Sequence, residues 1–167
     1  MSTPALEVDI AELIYRGYVQ GNNVYAAGNG GSCDQANHLC AELMGKFHDF
    51  RPPVCAHSLC SNPSTITAIA NDYGFDEVFS RQVHSMAPGD ILFLLSTSGD
   101  SANLVSAAEV ALDRDVTTIH IGGGGLLGKL CEYGFLFTGS TAQIQERTLG
   151  TIHTICRAVD EVFENER

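Results

Sequence analysis

Short apolar runs alternate with amphipathic helical patterns along this 167-residue chain, and that alternation restricts the possible folds more than any other feature of the sequence. Apolar runs of this length, rich in β-branched or aromatic residues, are typical of buried strands. They occupy residues 23–28, 53–58, 90–96, 116–122 and 134–139. Apolar residues recur every three or four positions, as in helices, over residues 5–20, 32–47, 74–86, 100–113 and 142–164.

Strands and helices that alternate in this way predict βαβ units with right-handed crossovers. The expected fold is therefore α/β, with a five-stranded parallel sheet covered by helices on both faces. The chain has the length of one ordinary domain, and we find no internal repeat, low-complexity tract or linker in it. We expect a single domain over residues 1–167, with an N-terminal helix at about 5–20 and the core over about 21–167.

Composition excludes several classes of partner. Nine basic residues against 20 acidic ones give a formal net charge of −11, which disfavours binding to nucleic acid and to anionic membrane surfaces. The longest apolar runs, such as ILFLLS at 91–96, are far shorter than the roughly 20 residues of a membrane span. The N-terminus also lacks the basic and then apolar pattern of a signal peptide. We expect a soluble, cytoplasmic protein.

The six cysteines are spaced singly inside apolar segments, and no two of them form a CxxC pair. This pattern favours reduced, mostly buried thiols over a disulfide framework or a cysteine-based metal site.

Two loops rich in small residues follow predicted strands at the edge where parallel sheets bind their ligands. In GNGGS, residues 28–32, the glycines permit positive φ angles and close approach of a ligand, and Ser32 can cap the next helix. The loop at 96–101 carries four hydroxyl groups, those of Ser96, Thr97, Ser98 and Ser101. Together the loops predict a shared phosphate site, although either one alone could be a tight turn. The spacing matches neither GxGxxG nor GxxxxGK[ST], and GGGG at 122–125 is interpreted mainly as a turn.

Two helical faces carry groups suited to metal binding or proton transfer. His38 and Glu42 are four residues apart and therefore share one face of the helix that GNGGS opens. Gln145 and His153 are eight residues apart and share one side of the last helix. Such residues can ligate a divalent metal or divide acid and base roles, but their spacing also suits surface pairs and satisfied core residues.

Several sequence blocks, colinear from about residue 20 onward, resemble the SIS (sugar isomerase) domain family and, within it, the phosphoheptose isomerases. The blocks are GNGGS at 28–32, HxxxE and ELMG within 38–45, RP at 51–52, ANDYGFDEVFSRQV at 70–83, STSGDSAN at 96–103, and IQE with a following His at 144–153. The STSG motif indicates only the SIS fold. ANDYGF together with HxxxE and QxxxxxxxH is far more specific.

The resemblance implies a flavodoxin-like, three-layer αβα sandwich and a ketose–aldose isomerase. The implied reaction converts sedoheptulose 7-phosphate to D-glycero-D-manno-heptose 7-phosphate through an enediol, with Glu42 as the base and His153 as the acid. The implied cofactor is one Zn²⁺ per subunit, held by His38, Glu42, Gln145 and His153. The implied assembly is a homotetramer whose active sites lie at subunit interfaces.

The resemblance also implies the residues that bind the phosphosugar. They are Asn29, Gly30, Gly31, Ser32, Glu42, Asn71, Asp72, Ser96, Thr97, Ser98, Ser101 and Gln145.

The chain departs from the pattern of this family at a few positions. Ala142 and Gln143 replace an Asp-Arg pair, Lys46 replaces an arginine, and the N-terminal part before the first strand is short. Two alternatives therefore stay open. One is an isomerase of another phosphosugar. The other is a non-catalytic SIS protein that binds a phosphosugar or a partner protein, similar to the DnaA initiator-associating protein.

Overall fold

A computed structural model describes residues 5–166 of the chain, and its five strands form one parallel sheet. The strands are β1 (Val24–Gly28), β2 (Ala56–Ser58), β3 (Ile91–Ser96), β4 (Thr117–Gly122) and β5 (Tyr133–Leu136). The helices are α1 (Ala5–Gln20), α2 (Gly31–Met44), α3 (Pro63–Tyr73), α4 (Ser80–Val83), α5 (Ala102–Asp113), α6 (Leu127–Leu130) and α7 (Thr141–Asn165). All five predicted strands are present, each within a few residues of its expected bounds.

The strand order, β2-β1-β3-β4-β5, confirms the flavodoxin-like prediction. All six residues of β3 are buried, as an interior strand of a sheet covered on both faces requires. The chain leaves β1 toward one edge of the sheet and later leaves β3 toward the other. β1 and β3 are nevertheless neighbours, with Gly28 in register with Leu95. The loops that follow these two strands therefore lie side by side at the switch point of the topology.

The helices complete three layers. α7 packs against both α1 and α2, while α5 packs against α4 and α6. One continuous core of buried apolar side chains joins these layers to the sheet. Within residues 5–166, no helix combines the length and the apolar character that crossing a lipid bilayer requires.

The predicted helix at 74–86 is wrong. This segment contains a single 3-10 turn, Phe75–Glu77, and the one-turn helix α4, and it follows Gly74, whose φ of 99° ends α3. No helix was predicted at α3, whose apolar stripe is short: only Ile66, Ile69 and Ala70 pack, partly buried, against the core, and no residue of the helix is fully buried. Its start is set locally instead: Pro63 opens the helix, and the side chain of Asn62 accepts hydrogen bonds from the backbone N–H groups of Ser64 and Thr65.

The cysteines are free thiols, as the sequence predicted, and three of them, Cys40, Cys60 and Cys156, are buried. Burial raises the pKa of each of these three thiols to about 12. They are therefore neutral at ordinary pH and are poor nucleophiles or metal ligands.

Candidate active site

A small cavity of about 80 Å³ lies at the switch point, between the loops that follow β1 and β3. Five of the side chains that line it carry a hydroxyl group, and no lysine or arginine is among them. The lining residues are Asn29, Ser32, Leu95, Ser96, Thr97, Ser98 and Ser101. Both loops therefore contribute to a single cavity, and the polar groups in it are uncharged.

The hydroxyl groups of the β3 loop converge on Ser96. Its Oγ lies 3.4 Å from Ser98 Oγ and 3.3 Å from Ser101 Oγ, and it accepts a hydrogen bond of 3.1 Å from the backbone N–H of Gly99. Ser101 occupies the N-cap position of α5, but its side chain makes no capping hydrogen bond. Its hydroxyl group can therefore donate a hydrogen bond to an anion that lies beside the free N–H groups of the helix start.

The β1 loop is tight because two of its residues are glycines in special positions. Gly30 has a φ of 52°, in the left-handed region that glycine adopts without strain. A Cβ atom on Gly28 would lie 2.6 Å from the backbone carbonyl carbon of Ser32. Only glycine can therefore occupy position 28, and α2 can begin almost directly after the strand.

The glycine run at 122–125 has a larger role than the turn that the sequence suggested. The N–H of Gly123 donates to the carbonyl of Ser96 at 2.9 Å, and a Cβ atom on Gly123 would collide with the carbonyl oxygen of Thr97. Likewise, a Cβ atom on Gly99 would lie 2.6 Å from the carbonyl oxygen of Gly123. The run therefore packs backbone against backbone behind the hydroxyl-rich loop. The run lies at the end of β4, the strand next to β3, and this position was the sequence signal from which its role could have been predicted.

His38, Glu42 and His153 lie close together where α2 faces α7. His38 Nε2 lies 3.0 Å from His153 Nε2 and 3.6 Å from Glu42 Oε1. The ring of Phe47 lies against the ring of His153, with the two centroids 5.3 Å apart. The structure thus brings together two imidazoles and a carboxylate beside an aromatic side chain, and groups of this kind can exchange protons.

The remaining predicted ligand, Gln145, lies nearer the beginning of α2. A Cβ atom on Gly31 would be 2.5 Å from Gln145 Nε2, and the carbonyl of Gln145 accepts a hydrogen bond of 2.8 Å from Gln35 Nε2. Across residues 5–166, no three histidine, cysteine, aspartate or glutamate side chains are already arranged to hold a metal ion.

Within one chain, Asn71 and Asp72 lie apart from the hydroxyl-lined cavity between the loops that follow β1 and β3. They are exposed near the end of α3, where Asn71 Nδ2 donates to Asp72 Oδ1 at 2.8 Å, and neither of them lines the cavity. Gln143, which departs from the family pattern, has a local role. It completes a capping box with Ser140 at the start of α7.

Arg51 is a supporting residue to which the sequence analysis assigned no role. Its guanidinium group is buried, forms an ion pair of 2.8 Å with Asp160 of α7, and donates to the carbonyls of Glu42 and Leu43 at the end of α2. The same aspartate accepts hydrogen bonds from the backbone N–H groups of His48 and Asp49. Arg51 therefore ties the part of α2 that carries Glu42 to α7, which carries His153.

Comparison with known proteins shows the family of the chain. The SIS domain model matches residues 7–123. Phosphoheptose isomerase from Shewanella baltica is 43% identical over 160 residues, which cover 92% of this chain and 81% of that protein.

Two solved structures share the fold. Phosphoheptose isomerase GmhA from Neisseria gonorrhoeae superposes with a TM-score of 0.84 at 36% identity, over 93% of this chain and 85% of that one. A phosphoheptose isomerase from Francisella tularensis gives a TM-score of 0.87 at 32% identity, over 96% and 87% of the two chains. The chain therefore belongs to the SIS domain family and, within it, to the phosphoheptose isomerases, and it is an enzyme.

Proposed function

We propose that this enzyme converts sedoheptulose 7-phosphate to D-glycero-D-manno-heptose 7-phosphate. The observation that carries the proposal is the position of two groups along α2. Ser32 lies in the hydroxyl-lined cavity at the start of this helix, and the rise of an α-helix puts His38 ~9 Å farther along the axis. A sugar whose carbonyl end is several carbon atoms from its phosphate can reach both groups.

The cavity holds the phosphate by hydrogen bonds. Hydroxyl groups from both loops and the free N–H groups at the starts of α2 and α5 donate to the phosphate oxygens. The molecule has a net charge of −11 and few basic side chains, so the dipoles of the two helices are what favour the anion locally.

Glu42 and His153 move the protons of the reaction. The Glu42 carboxylate takes a proton from C1 of the ketose, and His153 donates a proton to the carbonyl oxygen at C2, which gives an enediol. Loss of the proton on the C1 oxygen and return of a proton to C2 then give the aldose. The carboxylate of Glu42 is partly shielded from solvent, with 24% of its side chain exposed.

The donor set also supports a zinc site at His38, Glu42 and His153, with Gln145 as the expected fourth ligand. Zn–N bonds of about 2.0–2.1 Å put two ligands of a tetrahedral site roughly 3.3 Å apart. The distances from His38 Nε2 to its two neighbours, 3.0 and 3.6 Å, lie on either side of that value. A bound zinc ion would polarise the carbonyl and diol oxygens. With Nε2 of His153 and one oxygen of Glu42 on the metal, proton transfer would have to use His153 Nδ1 and the other carboxylate oxygen.

A homotetramer is part of the same proposal. The exposed position of Asn71 and Asp72 supports it, because a neighbouring subunit is needed if these two residues are to reach a substrate. Cytoplasmic location remains an expectation from the sequence.

Turnover of sedoheptulose 7-phosphate by the purified protein tests the proposal, measured before chelation, after it, and after zinc is added back. We expect activity that chelation removes and zinc restores. The variants Glu42→Gln and His153→Ala should lose turnover by about a hundredfold or more, because each lacks one proton-transfer group. Each should unfold in urea much like the parent enzyme.

Near-normal turnover in either variant would overturn the assigned chemistry. No turnover by a folded, zinc-loaded enzyme would leave two possibilities, an isomerase of another phosphosugar or a binding protein. A panel of ketose and aldose phosphates separates them, since only an isomerase would convert one of these compounds.

A further inference from the structure

We infer that Asn103 is a positioning residue of the phosphate site, acting through Asn29 to hold the two loops in register. The inference rests on the proposed function, since it concerns the cavity that we assign to the phosphate. Asn103 does not line that cavity, whereas Asn29 does.

Two hydrogen bonds join the side-chain amides of these residues head to head. Asn29 Nδ2 donates to Asn103 Oδ1 at 2.9 Å, and Asn103 Nδ2 donates to Asn29 Oδ1 at 2.9 Å. Each amide group therefore donates one hydrogen bond to the other and accepts one from it. The residues are 74 positions apart, one in the loop after β1 and one in the first turn of α5, just after the loop that follows β3.

Burial makes this pair costly to break. Asn103 is only 3% exposed, so water cannot easily replace a lost partner. The pair also fixes the amide plane of Asn29, the residue before Gly30 with its positive φ. Without the pair, the β1 loop keeps its glycine flexibility but loses its link to the hydroxyl groups of the β3 loop.

Isosteric substitution separates this role from simple space filling. Asn103→Leu keeps the approximate size of the side chain and adds no charge beside the phosphate, but it can neither donate to Asn29 Oδ1 nor accept from Asn29 Nδ2. A residue that merely fills space would tolerate this change. A residue that positions Asn29 through paired amides would not.

The experiment measures binding of inorganic phosphate and the KM and kcat for sedoheptulose 7-phosphate in the full-length enzyme. For both Asn103→Ala and Asn103→Leu we expect phosphate binding about tenfold weaker and a KM raised to match, with kcat changed much less. Ser106→Ala, one turn later on α5, is the matched control and should behave like the parent enzyme. In an Asn29→Ala background, Asn103→Ala should add little, because the partner is already missing.

The outcomes separate the two proposals. If the parent enzyme binds neither phosphate nor sedoheptulose 7-phosphate, the proposed function fails, and the role of Asn103 fails with it. If the parent binds and Asn103→Leu binds equally well, the positioning role alone is overturned. Additive effects in the double variant would also overturn it. If Asn103→Ala does not fold, the comparison of Asn103→Leu with the parent decides.

Discussion

Gly123 lies behind the hydroxyl-rich loop, where there is no room for even one methyl group. A Cβ atom there would collide with the carbonyl oxygen of Thr97, a backbone atom that cannot move without shifting the loop. We therefore expect Gly123→Ala to weaken phosphate binding roughly tenfold, because overpacking of this kind costs about 1–3 kcal/mol. Titration with inorganic phosphate measures the effect.

Gly124 provides the matched control, since a Cβ atom on it would have no neighbour within 4 Å. Gly124→Ala should bind phosphate like the parent enzyme. Equal affinities in the two variants would mean that the glycine run does not support the hydroxyl-rich loop.

Cys156 contributes to the dependence of stability on pH. Burial is the main cause that raises the pKa of this thiol from 9.0 to about 12. Between these values the unfolded chain has lost the proton and the native chain still holds it, so stability falls as pH rises. The free energy of unfolding should fall by about 1.4 kcal/mol per pH unit for this thiol, and below pH 9 its contribution should be constant.

The variant Cys156→Ala tests this contribution. Urea unfolding under reducing conditions should give a shallower decline above pH 9 in the variant than in the parent, by about the same 1.4 kcal/mol per unit. The two curves should run parallel from pH 7 to 8. Parallel curves at pH 10 as well would contradict the pKa shift.

At the scale of single residues, the sequence predicted the site best at the two loops. Their small and hydroxyl-bearing residues are a local signal, and the strand topology places the two loops at one cavity. The contact between His38 and His153 follows from the packing of α2 on α7, which helical spacing does not specify. The paired amides of Asn29 and Asn103 have no sequence pattern at all, because each residue by itself looks like an ordinary loop or helix-start asparagine.

Among the helices, the ion pair between Arg51 and Asp160 holds α2 and α7 in their relative positions. Both side chains are 1% exposed. We expect Asp160→Asn to destabilise the enzyme by about 3–5 kcal/mol, because the guanidinium charge stays buried without its counter-charge. Turnover should fall too, since Arg51 also holds the carbonyl of Glu42. Unfolding in urea and the isomerase assay measure the two effects.

An exposed carboxylate on the same helix, that of Glu164, supplies the control. Glu164→Gln should change stability by about 0.5 kcal/mol or less. A similarly small loss in Asp160→Asn would show that the pair is not needed for stability.

The sequence predicted elements best where they are buried. The strands and α1, α2, α5 and α7 all bury an apolar face and were predicted within a few residues. α3 has no fully buried residue and was missed, and the pattern just after it was mistaken for a longer helix. Gly74, at a φ of 99°, was the breaker in that segment, but a single glycine does not prove a helix end.

For the whole molecule, the exposed surface around α3 is the main feature that one chain leaves unexplained. Tyr73 and Phe75 are each 56% exposed there, next to the predicted substrate residues Asn71 and Asp72. Large apolar side chains exposed together are typical of interaction surfaces. A partner that covers this surface would also bring Asn71 and Asp72 close to another subunit.

The proposed homotetramer predicts a mass by light scattering of four times the 17.9 kDa of one chain. Phe75→Glu should shift the enzyme to smaller species, because burying an unpaired carboxylate at an interface is costly. Turnover should fall with assembly, while the hydroxyl-lined cavity, built within one chain, should still bind inorganic phosphate. Leu112→Glu is the control: it adds the same charge at an exposed leucine near the C-terminal end of α5 and should leave the mass unchanged. A monomeric, fully active parent enzyme would contradict the tetramer and would require Asn71 and Asp72 to act, if they act at all, within their own chain.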